Sequence, residues 1–467
     1  MPKQVDRPNF ILINCDDLGY GDVGCYGSRF NRTPALDRMA AQGVRFTDFY
    51  MASPVCSPSR GSMMTGCYPP RIGFDVFNTA SNPNVPRPVN SWVLFPGSPG
   101  GLGPGEITVA SLLRERGYAT KIVGKWHCGD QPEFLPTRHG FDSYFGLPYS
   151  NDMGIQASHP DRPPLPLLED EQPIELQPDQ RSLTIRYVEH CVRFMRANRD
   201  RPFFLYLAHM HVHLPHYPPQ TFLRRSINGP YGAAVECIDW SVAVILHELK
   251  ALGLDDRTLV VFTSDNGSRG DRGGSNRPLR GRKGQTWEGG IRVPCIARWP
   301  GRVPTGAECR EVATAMDFLP TFAALAGAAA PEDRIIDGRD ILPLLAGEAA
   351  ARSPHEAFFF YQADRLNAVR SGPWKLHVGC DGQPVRELYN LDDDVGETRN
   401  VIDSHTDVAA RLEKLIDACR EDLGDSMTGA KGANRRPAGH VDNPQPLATH
   451  DASHPYIIAM YDLPDVG

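Results

Sequence analysis

Four polar clusters each follow a short apolar run that predicts a buried β-strand. Asp16-Asp17 follows residues 10–14, and Lys125-Trp126-His127 follows residues 121–123. His209, His211, His213 and His216 follow residues 203–207, and Asp265-Asn266-Gly267 follows residues 258–263. In an open parallel sheet the carboxyl ends of the strands share one edge, and ligand sites form there. That rule gathers three carboxylates, an amide, a lysine and several histidines in one place. Three carboxylates with an amide oxygen make a hard, oxygen-only set, suited to calcium or magnesium rather than zinc. Alternation along an extended segment puts Lys125 and His127 on one face. There the lysine can hold an anion, while the histidine can move a proton near neutral pH. Taken singly, each cluster has a plainer reading. Asp-Asp after a strand serves as a turn or a helix cap, and Ser-Asp-Asn-Gly is a good turn. The alternating run 209–213 could line one strand face, but no cysteine or carboxylate completes a zinc set with its histidines.

The elements that must position these groups are legible from periodicity. Strands are predicted over 9–14, 119–123, 202–208 and 258–263. Helices are predicted over 33–43, with Thr33 as cap and Pro34 in the first turn, and over 109–117, ended by a glycine. Two more cover 182–198, on the spacing of Ile185, Val188, Val192 and Met195, and 233–252. This alternation predicts an α/β fold over residues 1–350, a large mixed, mostly parallel sheet sandwiched by helices. Beyond it, short strands at 357–361, 367–370 and 374–378, the segment 387–391 and a helix at 407–423 predict a smaller C-terminal α+β subdomain over 351–425. The tail, 426–467, is rich in Gly, Pro, Asn and His and reads as coil packed on a neighbour or on the main body. Residues 78–105 and 158–180 read as long surface loops, a kind more often substrate-shaping than idle.

Composition narrows the function classes. The chain has 467 residues, 41% hydrophobic and 22% charged, which suits a soluble globular enzyme. A net charge of -7 argues against a general nucleic-acid binder. No apolar stretch is long enough to cross a bilayer, so no membrane partner is expected. The first ten residues lack the apolar core of a secretion signal, which places the chain in the cytoplasm as written, or in the periplasm or outside the cell if a signal has been removed. Eleven cysteines are too thinly spread for a disulfide scaffold, and Cys15, Cys25, Cys67, Cys128, Cys191 and Cys295 read as small buried residues.

The most informative segment is Cys56-Ser57-Pro58-Ser59-Arg60, continuing to Thr65-Gly66. Alone it could be a buried cysteine before a proline turn. It resembles the signature of the type I sulfatases of the alkaline phosphatase superfamily, as do Gly124-Lys125-Trp126-His127, His213-Leu214-Pro215-His216 and the run 280–294 around Lys283. Residues 16–22, 139–142, 148–152 and 387–391 match the same family, in its arylsulfatase A and N-acetylgalactosamine-6-sulfatase branch. The resemblance implies that Cys56 is oxidised to formylglycine by a formylglycine-generating enzyme. It implies Asp16, Asp17, Asp265 and Asn266 as ligands of calcium, with magnesium as the alternative. It gives Arg60 the task of orienting formylglycine, and Lys125 and Lys283 contacts to the sulfate. His127 would take a proton from the nucleophile's second hydroxyl, and His213 would protonate the leaving group, with His211 and His216 as supports. The implied reaction is hydrolysis of a sulfate monoester on a carbohydrate or aryl alcohol. The rival readings are a phosphonate monoester or phosphodiester hydrolase of the same superfamily, or an anion- or glycan-binding protein without turnover if Cys56 stays a thiol. One position departs from the family pattern: Cys67 stands after Thr-Gly, where arginine is usual. Oligomeric state is left open, with the tail as a candidate contact.

Overall fold

The chain is seen in a computed structural model that describes residues 7–78 and 90–467. Its organising element is β1 (Asn9–Cys15), an apolar run buried at every position. Alternate side chains leave opposite faces of a strand. Phe10 and Leu12 accordingly enter one hydrophobic core, while Ile11, Ile13 and Cys15 enter a second. Each predicted strand around it does the same, so the sheet is covered on both faces.

Ten strands form this sheet. After β1 come β2 (Val44–Phe46), β3 (Ala119–Gly124), β4 (Ser143–Gly146), β5 (Pro166–Glu169), β6 (Gln172–Leu176), β7 (Phe203–Ala208), β8 (Thr258–Ser264), β9 (Cys295–Arg298) and β10 (Ala307–Cys309). Their spatial order is β6-β5-β4-β3-β7-β1-β8-β9-β2-β10. The five strands from β4 to β8 in that order run parallel, and β5, β6 and β9 run against their neighbours. This is the mixed, mostly parallel sheet expected. The segment 158–180 departs from expectation: it is not a free loop but carries the β5–β6 hairpin. β6 is largely exposed and holds Pro173, as an edge strand tolerates, so it lacks the apolar run that betrays a central strand.

Helices α1 (Pro34–Ala41), α4 (Gln180–Ala197) and α5 (Gly229–Ala251) cover the face of Ile11 and Ile13. Helices α2 (Cys56–Thr65), α3 (Val109–Glu115) and α6 (Phe318–Leu325) cover the other. In α4 the buried stripe is Leu183, Tyr187, Cys191 and Met195, while Ile185 is exposed. Tyrosine and cysteine complete that stripe, which a count of aliphatic residues alone misplaces.

The C-terminal part is a four-stranded antiparallel sheet, β11 (Phe358–Gln362), β12 (Arg365–Ser371), β13 (Trp374–Cys380) and β14 (Gln383–Asn390), backed by α7 (Thr406–Leu423). Its core is not closed on itself. Ala409, Leu412 and Ile416 of α7 share one hydrophobic cluster with Tyr50, Ala52, Tyr68, Ile291 and Met316 of the main body. The tail packs on the main body: Gly439–His440 pairs with Gly100–Gly101, and buried Tyr461 donates to the Pro178 carbonyl at 2.8 Å. Cys25 is only half-buried, whereas the other five cysteines expected inside are buried, and all eleven are free thiols.

Candidate active site

The ends of β1, β3, β7 and β8 are tied to one another by backbone hydrogen bonds just past the sheet. The amides of Lys125, His209, Asp16 and Asp265 donate to the carbonyls of Ala208, Asn14, His211 and Cys15. All four polar clusters therefore meet at one edge. Helix α2 brings in Cys56 as its first residue and Arg60 one turn on, with the whole helix buried. Lys283 comes from the run 280–294, whose Gly284 amide donates to the Pro54 carbonyl at 2.9 Å. Side-chain atoms of Asp16, Cys56 and His213 lie within 4.8 Å of one another, as do those of Asp16, Asp17 and Asp265. A cavity of about 320 Å³ opens on this cluster, lined by Cys56, His127, Ser150, Asp152, His213 and Lys283 among others.

Each cation is paired with an acid, and Arg60 spans two. Arg60 donates to Asp265 Oδ2 at 2.8 Å, to the Lys125 carbonyl at 2.7 Å and to Asp16 Oδ2 at 3.4 Å. Lys125 donates to Asp16 and to Ser150 Oγ, the latter at 2.6 Å. Lys283 donates to Asp17 Oδ2 at 2.9 Å. Burial opposes ionisation of Asp16, but Lys125, His213 and Arg60 hold its carboxyl below the ordinary range. Burial and the Asp16 charge instead push Asp265 up to about 6. Among the four expected ligands two acceptors are left without a donor, Asp16 Oδ1 and Asn266 Oδ1. Orphaned buried oxygens beside a raised carboxyl are the condition a bound hard cation would relieve, so the four expected ligands fit a divalent ion.

The reactive groups are held in defined states. Burial pushes the Cys56 thiol up to about 12, so the encoded residue is no thiolate at neutral pH and a poor nucleophile. His127 Nε2 faces the Leu94 carbonyl at 2.9 Å, which can only accept, so the ring's free lone pair is on Nδ1. His213 Nδ1 faces the Leu214 carbonyl at 2.6 Å, leaving Nε2 toward the cavity's contents. Asp17 and His127 both hold left-handed backbone, φ 59° and 61°, a strain that clusters at working sites. Trp126 goes to the core, stacked on His139, so Lys125 and His127 flank an inward tryptophan.

Three features escape the sequence reading. Ser150 and Asp152 line the cavity, Ser150 as partner of Lys125 and Asp152 with its Oδ1 3.9 Å from His213 Nδ1. Their segment matches the family motif at 148–152, which was the available signal. The run 209–213 is not a strand face: β7 ends at Ala208, His209 bonds Ser241 Oγ at 3.0 Å, and both His211 nitrogens lack a partner. The tail also reaches the cavity. Arg272 pairs with Asp465, Arg269 donates to the Val466 carbonyl at 2.8 Å, and the Gly467 amide donates to Asp152 Oδ2 at 3.2 Å. Gly467 lies so close to the His213 ring that a Cβ there would collide with it. At Cys67, Arg436 of the tail brings its guanidinium to 3.4 Å from Sγ.

Residues 8–328 match the Sulfatase family, and residues 282–422 match the family described as N-sulphoglucosamine sulphohydrolase, C-terminal. Steryl-sulfatase of Mus musculus is 40% identical over 79% of this chain and 70% of its own length. Arylsulfatase A of Homo sapiens is 38% identical over 89% and 86%, and N-acetylgalactosamine-6-sulfatase of Canis lupus familiaris 42% over 79% and 71%. The crystal structure of Ps i-CgsB in complex with k-i-k-neocarrahexaose superposes with a TM-score of 0.78 at 29% identity, covering 93% of this chain and 95% of that one. No helix among the described residues is long and apolar enough to cross a membrane. These matches over most of the chain place the protein in the sulfatase family, as a sulfuric ester hydrolase.

Proposed function

We propose that the protein hydrolyses a sulfate monoester of a glycan, with Cys56 working as formylglycine after modification by a formylglycine-generating enzyme. The observation that carries this reading is the meeting of Cys56, Asp16 and His213 within 4.8 Å at a cavity also lined by Lys283. Formylglycine there supplies a hydrated aldehyde oxygen as nucleophile. Asp16, Asp17, Asp265 and Asn266 would hold a divalent cation, calcium or magnesium, which would supply Lewis-acid polarisation of a sulfate oxygen and stabilise the deprotonated nucleophile.

The remaining work falls to the chain's own side chains. Lys125 and Lys283 neutralise the sulfate oxygens from positions fixed by Asp16 and Asp17. Arg60 stands between Asp16 and Asp265 and orients the first turn of α2. As sulfate leaves residue 56, His127 accepts at Nδ1 the proton of the remaining hydroxyl and the aldehyde carbonyl reforms; burial and Lys125 keep the ring neutral and ready for that proton. Burial and Lys283 also favour neutral His213, and the negative charge of a bound sulfate ester shifts it toward the protonated form. Nε2 then donates to the bridging oxygen as the sulfur–oxygen bond breaks, and the alcohol departs with that proton.

A glycan is favoured as the alcohol because a relative is a hexosamine sulfatase and a structural relative holds a neocarrahexaose. The change of architecture near 350 supports the first boundary of a division into residues 1–350, 351–425 and 426–467. The test is peptide mass spectrometry on the segment holding Cys56, joined to turnover of 4-nitrophenyl sulfate. A formylglycine mass with turnover that disappears in Cys56→Ala is expected. Full conversion without sulfate release, or faster hydrolysis of a phenylphosphonate monoester, would overturn the reading.

A further inference from the structure

A second cavity, of about 430 Å³, lies beside the first and shares one wall with it, Trp92. Its other lining comes from Val76, Ser91 and two turns of the C-terminal sheet: Gln362, Ala363, Asp364 and Arg365 on the β11–β12 side, and Asp381 after β13. The two cavities are joined through the loop that carries Lys283. The Trp92 ring lies over Gly284, 3.5 Å from where a Cβ would stand, and Gly284 holds φ 85°, which suits glycine alone. The Gly284 carbonyl accepts from Gln362 Nε2 at 2.8 Å, and the same nitrogen donates to Asp381 Oδ1 at 3.2 Å. Both partners are acceptors, so the amide orientation is fixed and Oε1 is the acceptor left over. Gln362 is only 6% exposed and that Oε1 has no donor.

The chemistry of this lining selects its ligand. Serine, glutamine, two aspartates and an arginine around a half-buried tryptophan offer a flat aromatic face with hydroxyl acceptors at its margin. A steroid or aryl group would leave those polar groups unmatched, which costs free energy for each one buried. A sugar ring satisfies them, and a volume of roughly 300–1,000 Å³ is the range of ligand sites. We infer that the substrate is an oligosaccharide: its sulfated residue sits at Cys56, Trp92 lies between it and a neighbouring residue, and that neighbour occupies the second cavity. Arg365 offers that neighbour hydrogen-bond donors, and Asp364 and Asp381 offer it acceptors. This assignment rests on the glycan sulfatase reading and deepens it.

The experiment measures binding by calorimetry in the Cys56→Ser protein, so it does not depend on formylglycine. The probes are sulfated monosaccharides and the matching disaccharides of sulfated galactan, chondroitin sulfate and heparin. At least one disaccharide is expected to bind about tenfold more tightly than its monosaccharide, and Trp92→Ala is expected to remove that gain. Arg365→Ala, at the exposed first residue of β12 and chosen so that folding is not in question, is expected to remove part of it. Affinity independent of length in all three series, or a length gain untouched by both substitutions, would overturn the inference. Failure of the sulfatase reading would show separately, as no release of sulfate from 4-nitrophenyl sulfate by fully converted wild-type protein.

Discussion

Two buried clusters of charge sit at the ends of the Lys283 loop, and they are built to opposite ends. At the sheet edge, Asp16, Asp17 and Asp265 face Arg60, Lys125 and Lys283. At the seam with the C-terminal sheet, Asp48, Glu288 and Glu397 face Arg292, Arg370 and Lys375. Both sets hold three acids and three bases, so net charge does not distinguish them. Saturation does. At the seam every carboxylate oxygen has a donor: Glu288 takes Lys375, Tyr50 and Arg292, Glu397 takes His377 and the Glu288 amide, and Asp48 takes Arg370 and Arg292. At the edge Asp16 Oδ1 and Asn266 Oδ1 stay empty. A closed network fixes position, whereas an open one has capacity left for a ligand. The seam holds Glu288, five residues after Lys283, and so steadies the lysine that the site uses.

The largest expected effect is at the seam. Lys375→Met strands Glu288 and Glu397 without their shared cation in the interior, and is expected to cost about 3–5 kcal/mol in urea unfolding. A loss as small as that of an exposed ion pair would mean the seam is not closed as described. Next is the cation at the edge. Chelation should lower stability by about 2.7 kcal/mol relative to protein holding the ion at a hundred times its dissociation constant, with calcium or magnesium restoring it. Carrying Asp16→Asn, the protein should lose most of that dependence; an unchanged response would place the ion elsewhere.

The smallest effect is a pH dependence at His377, which donates to Glu397. Burial, then Lys375, lowers its pKa, so the folded state keeps it neutral while the unfolded chain takes up a proton below about 6.5. Its contribution is complete above that pH and declines as the pH falls, by at most about 1.4 kcal/mol per unit. In His377→Gln, which cannot titrate, the stability deficit relative to wild type should shrink between pH 7.5 and 5.5. A deficit that grows would mean the ring is charged in the native protein.

Much of the candidate site was legible because it depends on local signals plus one geometric rule. Residues 9–14, 119–123, 202–208 and 258–263 are apolar and short, and parallel strands align their carboxyl ends, so Asp16, Lys125, His213 and Asp265 had to converge. The motif around Cys56 marked the proposed nucleophile. The β5–β6 hairpin was not legible, because an exposed edge strand has no apolar pattern to read. Ser150 and Asp152 were visible as part of a motif but not as cavity wall.

The sequence by itself determined the parallel sheet, the edge at which the polar clusters gather and the family to which the chain belongs. Tertiary structure alone decided the pairing of Lys375 with Glu288 across 87 positions and of Arg436 with Cys67 across 369. It also decided the shared wall at Trp92 and the approach of Gly467 to His213. The reason is one of range. Strand and helix periodicity is set by neighbours a few residues apart, whereas these contacts exist only after distant segments have docked, and single residues carry no mark of which distant partner they will meet.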